Sequence, residues 1–380
     1  PYPTLFRSMK KTIALLISVA LTIMLIISCA PKAEATTAPA TAATGTPAVQ
    51  SAPAPATAPA ATATPAPATT TIPKPSSPKK FSMASGSVGG NFYLVGGGIA
   101  QEVNKVLPDY FMMTSETTGG GAANLGLLQA GDAELGIAMT SSLSEGMAGE
   151  VKWTAGVKHE KLRVVLALYP SWLTIYTLED SGIKSMSDLK GKIVGLGTKG
   201  MAMDSIFRKF FEDQGIQVKQ FHNDGHQATA TALGDKVIDA AILFSYPPFA
   251  AISSLESTTK LSFIPLTPAE QDYLVGQYPF YSKDAMPAGS YKGTKVDVPG
   301  VSEWNMLVSS NEVSADDVYL MVKAFVENQK DLLAIYGGLK YMTAENTLNS
   351  NIYLHAGTIR YMKEIGLNVP ANMIPPEYKN

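Results

Sequence analysis

The sequence predicts an α/β protein of two lobes with a parallel-rich sheet in each. Three observations predict it. From Phe81 onward, short β-type runs alternate with helical patterns, the signature of βαβ units and parallel sheets. The alternation pauses at a long extended segment and then restarts at similar size. Glycine- and hydroxyl-rich loops follow the strands of both runs, the place where parallel α/β sheets hold ligands.

In the first run, 81–85 reads as a strand. A helix follows at 91–106, with Ile99, Val103 and Val106 on one face. A strand at 110–115, a helix at 122–130 and a strand at 135–139 come next. Residues 162–168 form another strand, and 173–178 a long extended run. The second run has strands at 192–196, 217–221 and 238–244. Its helices fall at 203–214, 228–233 and 247–255. The C-terminal part is mostly helical, at 315–333 and 358–365. The extended segments 173–178 and 304–308 are expected to cross between lobes. The first lobe is then 81–172 with 300–380, and the second is 173–299.

The chain has 380 residues, a net charge of −2, 16% charged residues and one cysteine. A single thiol excludes an internal disulfide framework and a cysteine-based zinc site. Seven of the 30 basic residues but one of the 32 acidic ones lie in residues 1–80. The body from Phe81 therefore carries 23 basic and 31 acidic residues, a net −8. An acidic body with three arginines has no electrostatic footprint for nucleic acid.

The N-terminal region is different in kind. Met9 is the expected translation start, followed by the basic pair Lys10-Lys11 and an uncharged apolar run over 12–27. That run is short for a membrane span and suits a signal peptide. It stops at Ile26-Ile27-Ser28-Cys29, which resembles the bacterial lipobox, so residues 1–29 read as a signal peptide with Cys29 lipidated. Residues 30–80 hold eleven prolines and no aromatic residue. Such a stretch buries no core and forms a semi-rigid tether. The mature protein is then extracytoplasmic and held at the membrane by its lipid.

The candidate site lies in the loops after the strands. The first loop supplies Ser87, Gly89, Gly90, Asn91, Phe92 and Tyr93. The second supplies Thr118, Gly119, Gly120 and Gly121, leading to Asn124. The third supplies Thr140 and Ser141. In the second lobe, Lys199 and Gly200 precede one helix, and Tyr246 and Pro247 precede another. Glycines admit close backbone approach, and helix N-terminal amides accept anions. Tyr93, Tyr246 and Phe92 either cover a ligand or pack the core. Asn124 either caps its helix or touches the ligand. Trp304 falls on a crossover.

These segments together resemble the TAXI family, the solute receptors of tripartite (TRAP-type) transporters. The resemblance runs through Gly86–Tyr93 with Gly96-Gly97-Gly98-Ile99-Ala100, Thr117–Leu125 and Ala130–Ile137. It continues through Tyr278-Pro279-Phe280-Tyr281, Met286–Tyr291, Val298–Val301 with Trp304, and His355-Ala356-Gly357 with Tyr361–Leu367. It implies a periplasmic-binding-protein-like (type II) fold that closes on a small carboxylate or amino acid. The loaded receptor would dock on a TRAP-type permease, with no cofactor, no metal and no chemistry of its own.

Two departures stand out. Where the family commonly carries Gln-Ser-Asp, this chain has Met139-Thr140-Ser141. Where it commonly carries Gly-Ser-Gly-Thr, this chain has Gly200-Met201-Ala202-Met203. Methionine is apolar and adaptable. Either these side chains pack the helix N-termini, or the ligand is more apolar than glutamate. No Gly-x-Ser-x-Gly, HExxH or phosphate-loop pattern offers an enzyme's constellation. His222 and His226 read as loop imidazoles rather than a metal pair. Receptors of ATP-driven importers, and lipoproteins that report a solute to a membrane kinase, are the alternative roles.

Overall fold

The computed structural model describes residues 72–88, 90–199 and 201–379. The lipobox with Cys29 and the tether up to residue 71 lie outside them, as do Gly89 and Gly200. The elements in chain order are β1 (Lys79–Ala84), α1 (Asn91–Val106), β2 (Phe111–Glu116), α2 (Gly121–Ala130), β3 (Leu135–Met139), α3 (Thr140–Ala148) and β4 (Leu162–Leu178). Then come β5 (Ile193–Gly195), α4 (Ala202–Asp213), β6 (Gln220–His222), α5 (His226–Gly234), β7 (Ala240–Ser245), α6 (Ala250–Thr258), β8 (Leu261–Phe263), α7 (Pro268–Gln277) and β9 (Ser282–Met286). The chain ends with β10 (Val298–Ser310), α8 (Ala315–Glu327), α9 (Gln329–Ile335), α10 (Ala344–Thr347) and α11 (Ala356–Glu364).

The strands join in the order β2-β1-β3-β10-β4-β7-β5-β6, with β8 on β4 and β9 on β10. β1 is parallel to β2 and β3, and β5 is parallel to β6 and β7. Between these parallel sets, β10 and β4 run antiparallel to their neighbours. This is a periplasmic-binding-protein-like α/β fold with a mixed sheet.

β4 is the long span, buried at all 17 positions. Its first part pairs with β10 and its last part with β7; Trp172 faces both Ser302 and Ser245. The sequence reads this span as two segments because Pro170 interrupts it. The strand continues because Pro170 sits opposite Trp304, beside a register irregularity at Asn305/Met306. A proline has no N–H to give a ladder and is tolerated at such bulges.

Three apolar clusters fill the interior. The first gathers Phe81–Tyr169 residues with Met306–Met373 residues. The other two draw on Trp172 to Val301. Leu173 and Ile175 belong to one of these, Trp172 and Tyr176 to the other, because successive strand residues face opposite sides. The first cluster thus draws on 81–169 with 306–373, and the other two on 172–301.

Several elements differ from expectation. Residues before Lys80, expected in the tether, are packed on the body: Ile72 packs on the first core, its carbonyl accepts from Tyr110 Oη at 3.0 Å, and Lys79 pairs with Asp317 at 2.7 Å. The helix read over 315–333 breaks at Asn328, whose Nδ2 donates to the Ala324 carbonyl at 2.8 Å. His226 opens α5 rather than lying in a loop, and His222 ends β6. α3 and α7 were unread, although Thr267 and Glu270 form a reciprocal capping box around Pro268.

The His355-Ala356-Gly357 motif has a structural cause. His355 is the N-cap of α11; its Nδ1 accepts from Gly357 N at 3.2 Å, and its Nε2 bonds the Val313 carbonyl at 3.1 Å. Burial pushes its pKa down to about 4. At Gly357 a Cβ would stand 2.4 Å from the Ala315 oxygen and 2.6 Å from the Tyr319 nitrogen. Only glycine lets α11 lie this close to α8. Gly357→Ala is expected to destabilise the protein by about 1–3 kcal/mol through overpacking, read as a lower urea midpoint. An unchanged midpoint would contradict this helix contact.

Candidate functional site

The parallel strands fix where the helices begin. β1, β2 and β3 feed α1, α2 and α3 from one sheet edge, and β5, β6 and β7 feed α4, α5 and α6 from another. The residues at the N-caps of these six helices are Gly90, Gly120, Met139, Met201, Gly225 and Phe249, and none makes a side-chain cap. Elsewhere Thr267, Thr343 and His355 cap α7, α10 and α11. Ser314 before α8 makes no cap bond either, but it carries a hydroxyl suited to one. At the strand ends the residue types themselves cannot cap. First-turn amides there are left to other acceptors.

The two sets of helices meet at these ends. α3 approaches α4. Tyr246 packs at the junction, with ring centroids 5.8 Å from Tyr169, 5.7 Å from Trp172 and 5.5 Å from Tyr336. Trp304 lies 6.3 Å from Tyr341 in the same group. The Tyr169 hydroxyl is buried among them without a hydrogen-bond partner.

The expected residues sort into three groups. Along the first rim, Ser87 Oγ donates to the Thr118 carbonyl at 3.3 Å, which draws the β1 and β2 loops together. Gly90 closes a turn onto Ser87, and Asn91, Phe92 and Tyr93 form the first turn of α1. Tyr93 is 41% exposed, whereas Phe92 packs on the core. Gly119 and Gly120 lead into α2 at Gly121; Gly120 has φ +100°, which side chains rarely adopt.

Asn124 is a clamp. Its Nδ2 donates to the carbonyls of Ser85 at 2.7 Å and Ile137 at 2.8 Å, and its Oδ1 accepts from Thr118 Oγ1 at 2.5 Å. It is fully buried, so its bonds tie the β1 and β3 ends together and leave nothing for a ligand. Thr118 Oγ1 also accepts from Gly120 N at 3.1 Å. In the second lobe, Lys199 is exposed and Met201 is 40% exposed at the α4 N-cap. Pro247 follows Tyr246 and is joined to Pro248 by a cis bond.

The third group surrounds Glu303, which sequence reasoning missed. Met139 is the α3 N-cap; Thr140 Oγ1 accepts from Trp304 N at 3.4 Å. Ser141 N donates to Glu303 Oε2 at 3.1 Å. Glu303 is 2% exposed, and burial pushes its pKa up to about 7 although the Ser141 bonds oppose the rise. Its partner lies 162 positions away in the chain, so no local pattern announces it. The glutamate within an otherwise buried strand was the available signal.

A surface depression of about 570 Å³ is lined by Lys260, Lys292, Lys295 and Glu256. It lies at the C-terminal end of α6, away from the strand carboxyl ends, and Glu256 is already held by the amides of Lys292 and Gly293. Among the described residues, no group of three His, Cys, Asp or Glu side chains is placed to hold a metal.

The raised pKa of Glu303 sets a pH dependence. Its ordinary value is 4.5 and its folded value about 7, so the folded state keeps a proton that the unfolded chain releases. Stability from this group is full below about pH 4.5 and is lost as pH rises through 7. Glu303→Gln is expected to gain on the parent between pH 5 and pH 8, by up to about 3 kcal/mol, in urea unfolding. A variant-minus-parent difference that stays flat over this range would contradict the burial of an ionisable carboxyl.

Comparison with known structures gives similar folds at low identity. The periplasmic aliphatic sulphonate binding protein of Escherichia coli is 16% identical with a TM-score of 0.41, covering 79% of this chain and 85% of its own. A probable amino-acid ABC transporter extracellular-binding protein of Bacillus subtilis is 17% identical with a TM-score of 0.45, covering 70% and 100%. A structure from work on glutathione import in Streptococcus mutans is 16% identical with a TM-score of 0.45, covering 69% and 96%. Residues 83–366, about three quarters of the chain, match one family model, that of the NMT1-like family. The chain belongs to the NMT1-like family.

Proposed function

We propose that this chain is an extracytoplasmic solute receptor, tethered by lipid at Cys29, that closes on a small organic acid or amino acid and presents it to a membrane importer. The observation that carries this reading is the set of uncapped helix N-termini at the strand ends of both lobes. Amides of this kind bind carboxylates. The moving bodies are 81–172 with 300–380 and 173–299, hinged where β4 and β10 cross.

Met139 and Met201 stand at the N-caps of the facing helices α3 and α4. They put apolar, adaptable surface beside the amides, which supports a ligand with a hydrocarbon part. For the importer, an ATP-driven permease is the first reading, because the family is NMT1-like and receptors of ABC importers share this fold. A TRAP-type permease is the second, supported by the motif resemblance. Uptake that survives collapse of the ion gradients identifies the first, and uptake that stops identifies the second.

The receptor reading is tested by native purification, mass spectrometry of released small molecules and a melting screen over carboxylates and amino acids. A true ligand at about 100 times its Kd adds about 2.7 kcal/mol and raises Tm by roughly 5 °C. It is expected to be recovered chemically unchanged. A protein that retains nothing and responds to nothing in the screen overturns the reading.

A further inference from the structure

The surroundings of Glu303 bear on one end of the solute, and this inference rests on the receptor reading. β9 and β10 pair through Ser282↔Ser302. Tyr281 immediately precedes Ser282 and Glu303 immediately follows Ser302, so both lie at the same end of this ladder. Tyr281 is 2% exposed, its ring is stacked on Phe244 at 5.0 Å, and its hydroxyl has no hydrogen-bond partner. Glu145 lies four residues after Ser141 on α3, so it shares the helix face that meets Glu303. Its Oε2 accepts from Trp153 Nε1 at 3.0 Å. The charges of Glu303 and Glu145 both act on the Tyr281 hydroxyl.

Two carboxyls and a phenol thus lie within electrostatic reach of one another, with no lysine or arginine paired to either acid among the described residues. A buried carboxylate without a cation is unfavourable. The α3 N-terminus, which otherwise suits a ligand carboxylate, is filled by the chain's own Glu303. A second carboxylate there would meet like charge on two sides. The group that complements these acceptors is positive and donates several hydrogen bonds. A calcium ion needs about six to eight oxygens, more than these side chains offer. A primary ammonium brings three N–H donors.

We propose that Glu303, Tyr281 and Glu145 form the seat of a primary ammonium on the solute, so that this receptor takes amino-bearing solutes over plain carboxylic acids. Tyr281 belongs to the second core, Ser141 and Glu145 lie on α3 of the first lobe, and Glu303 lies on a strand shared by both. An ammonium in this seat therefore pulls the lobes together. The uncapped amides take the carboxylate and the methionines the apolar part, which fits an amino acid with an apolar side chain. Burial keeps the Glu303 carboxyl near half-protonated at neutral pH, and binding of the ammonium releases that proton.

The test uses the full chain, purified natively. Molecules it releases on denaturation are identified by mass spectrometry. Calorimetry then compares L-leucine and L-phenylalanine with 4-methylpentanoate and 3-phenylpropanoate, for the parent, Glu303→Gln and Tyr281→Phe. The expected released molecule bears a primary amine, and Glu303→Gln retains none of it. Any amino acid of the panel that binds is expected to do so at least about tenfold more tightly than its desamino partner. Tyr281→Phe is expected to weaken binding severalfold while folding as the parent does, which keeps the test open if Glu303→Gln misfolds. A released solute without a basic nitrogen, or a desamino acid bound within twofold of its amino acid, overturns the ammonium seat and leaves the receptor standing. A protein that releases nothing and binds no probe overturns both.

Discussion

The pairing of β4 with β10 is the contact on which everything else hangs. Both strands pass from one core into the other, and they are each other's neighbours from Leu162–Trp172 against Ser302–Ser310. A strand buried along 17 residues has no solvent face, so its backbone carbonyls find their partners inside. Asn305 Nδ2 is one such partner, donating to the Tyr169 carbonyl at 3.0 Å and Ser171 Oγ at 2.8 Å. Because β10 runs antiparallel between β3 and β4, the two parallel sets stay in register with one another. Their carboxyl ends, and the helices that spring from them, are then brought to a common junction.

That junction trades local satisfaction for availability. Three of the helices elsewhere, α7, α10 and α11, begin with Thr267, Thr343 or His355 bonded to their own first amides. The six that follow the parallel strands begin with glycine, methionine or phenylalanine. An uncapped helix gives up about 1 kcal/mol of local stability, and the loss falls at one place in the fold. Asn124 and Thr118 offset it by fixing the β1, β2 and β3 loops from beneath. The loops are thus held in position, and the first-turn amides are left to acceptors other than a cap side chain, Ser141 N being taken by Glu303.

Much of this was legible in residues. α1 and β3 were read to their ends, because a glycine loop and a 3.6-residue apolar face bound the one and an uninterrupted apolar run marks the other. What escaped was non-local or disguised. α3 opens Thr-Ser-Ser-Leu-Ser, a stretch whose residues favour turns and caps, and it is helical because it packs on β3 and β10. Pro170 hid the continuity of β4. Asn124 reads in the sequence as a cap or a ligand contact, and the carbonyls at 2.7 and 2.8 Å occupy its amide instead. Glu303 has a role only through a helix far away in the chain.

His355 and Glu303 sit at different places in the fold, and burial perturbs them in opposite senses. Folding lowers the histidine to about 4, so between there and its ordinary 6.5 the unfolded chain holds the extra proton. Folding raises the glutamate from 4.5 to about 7, so over much of the same range the folded chain holds it. From about pH 4.5 to 6.5 the two proton uptakes cancel, and their joint slope of stability against pH is close to zero. This pair gives the protein a plateau in stability across mild acidification, built from two buried groups that never touch.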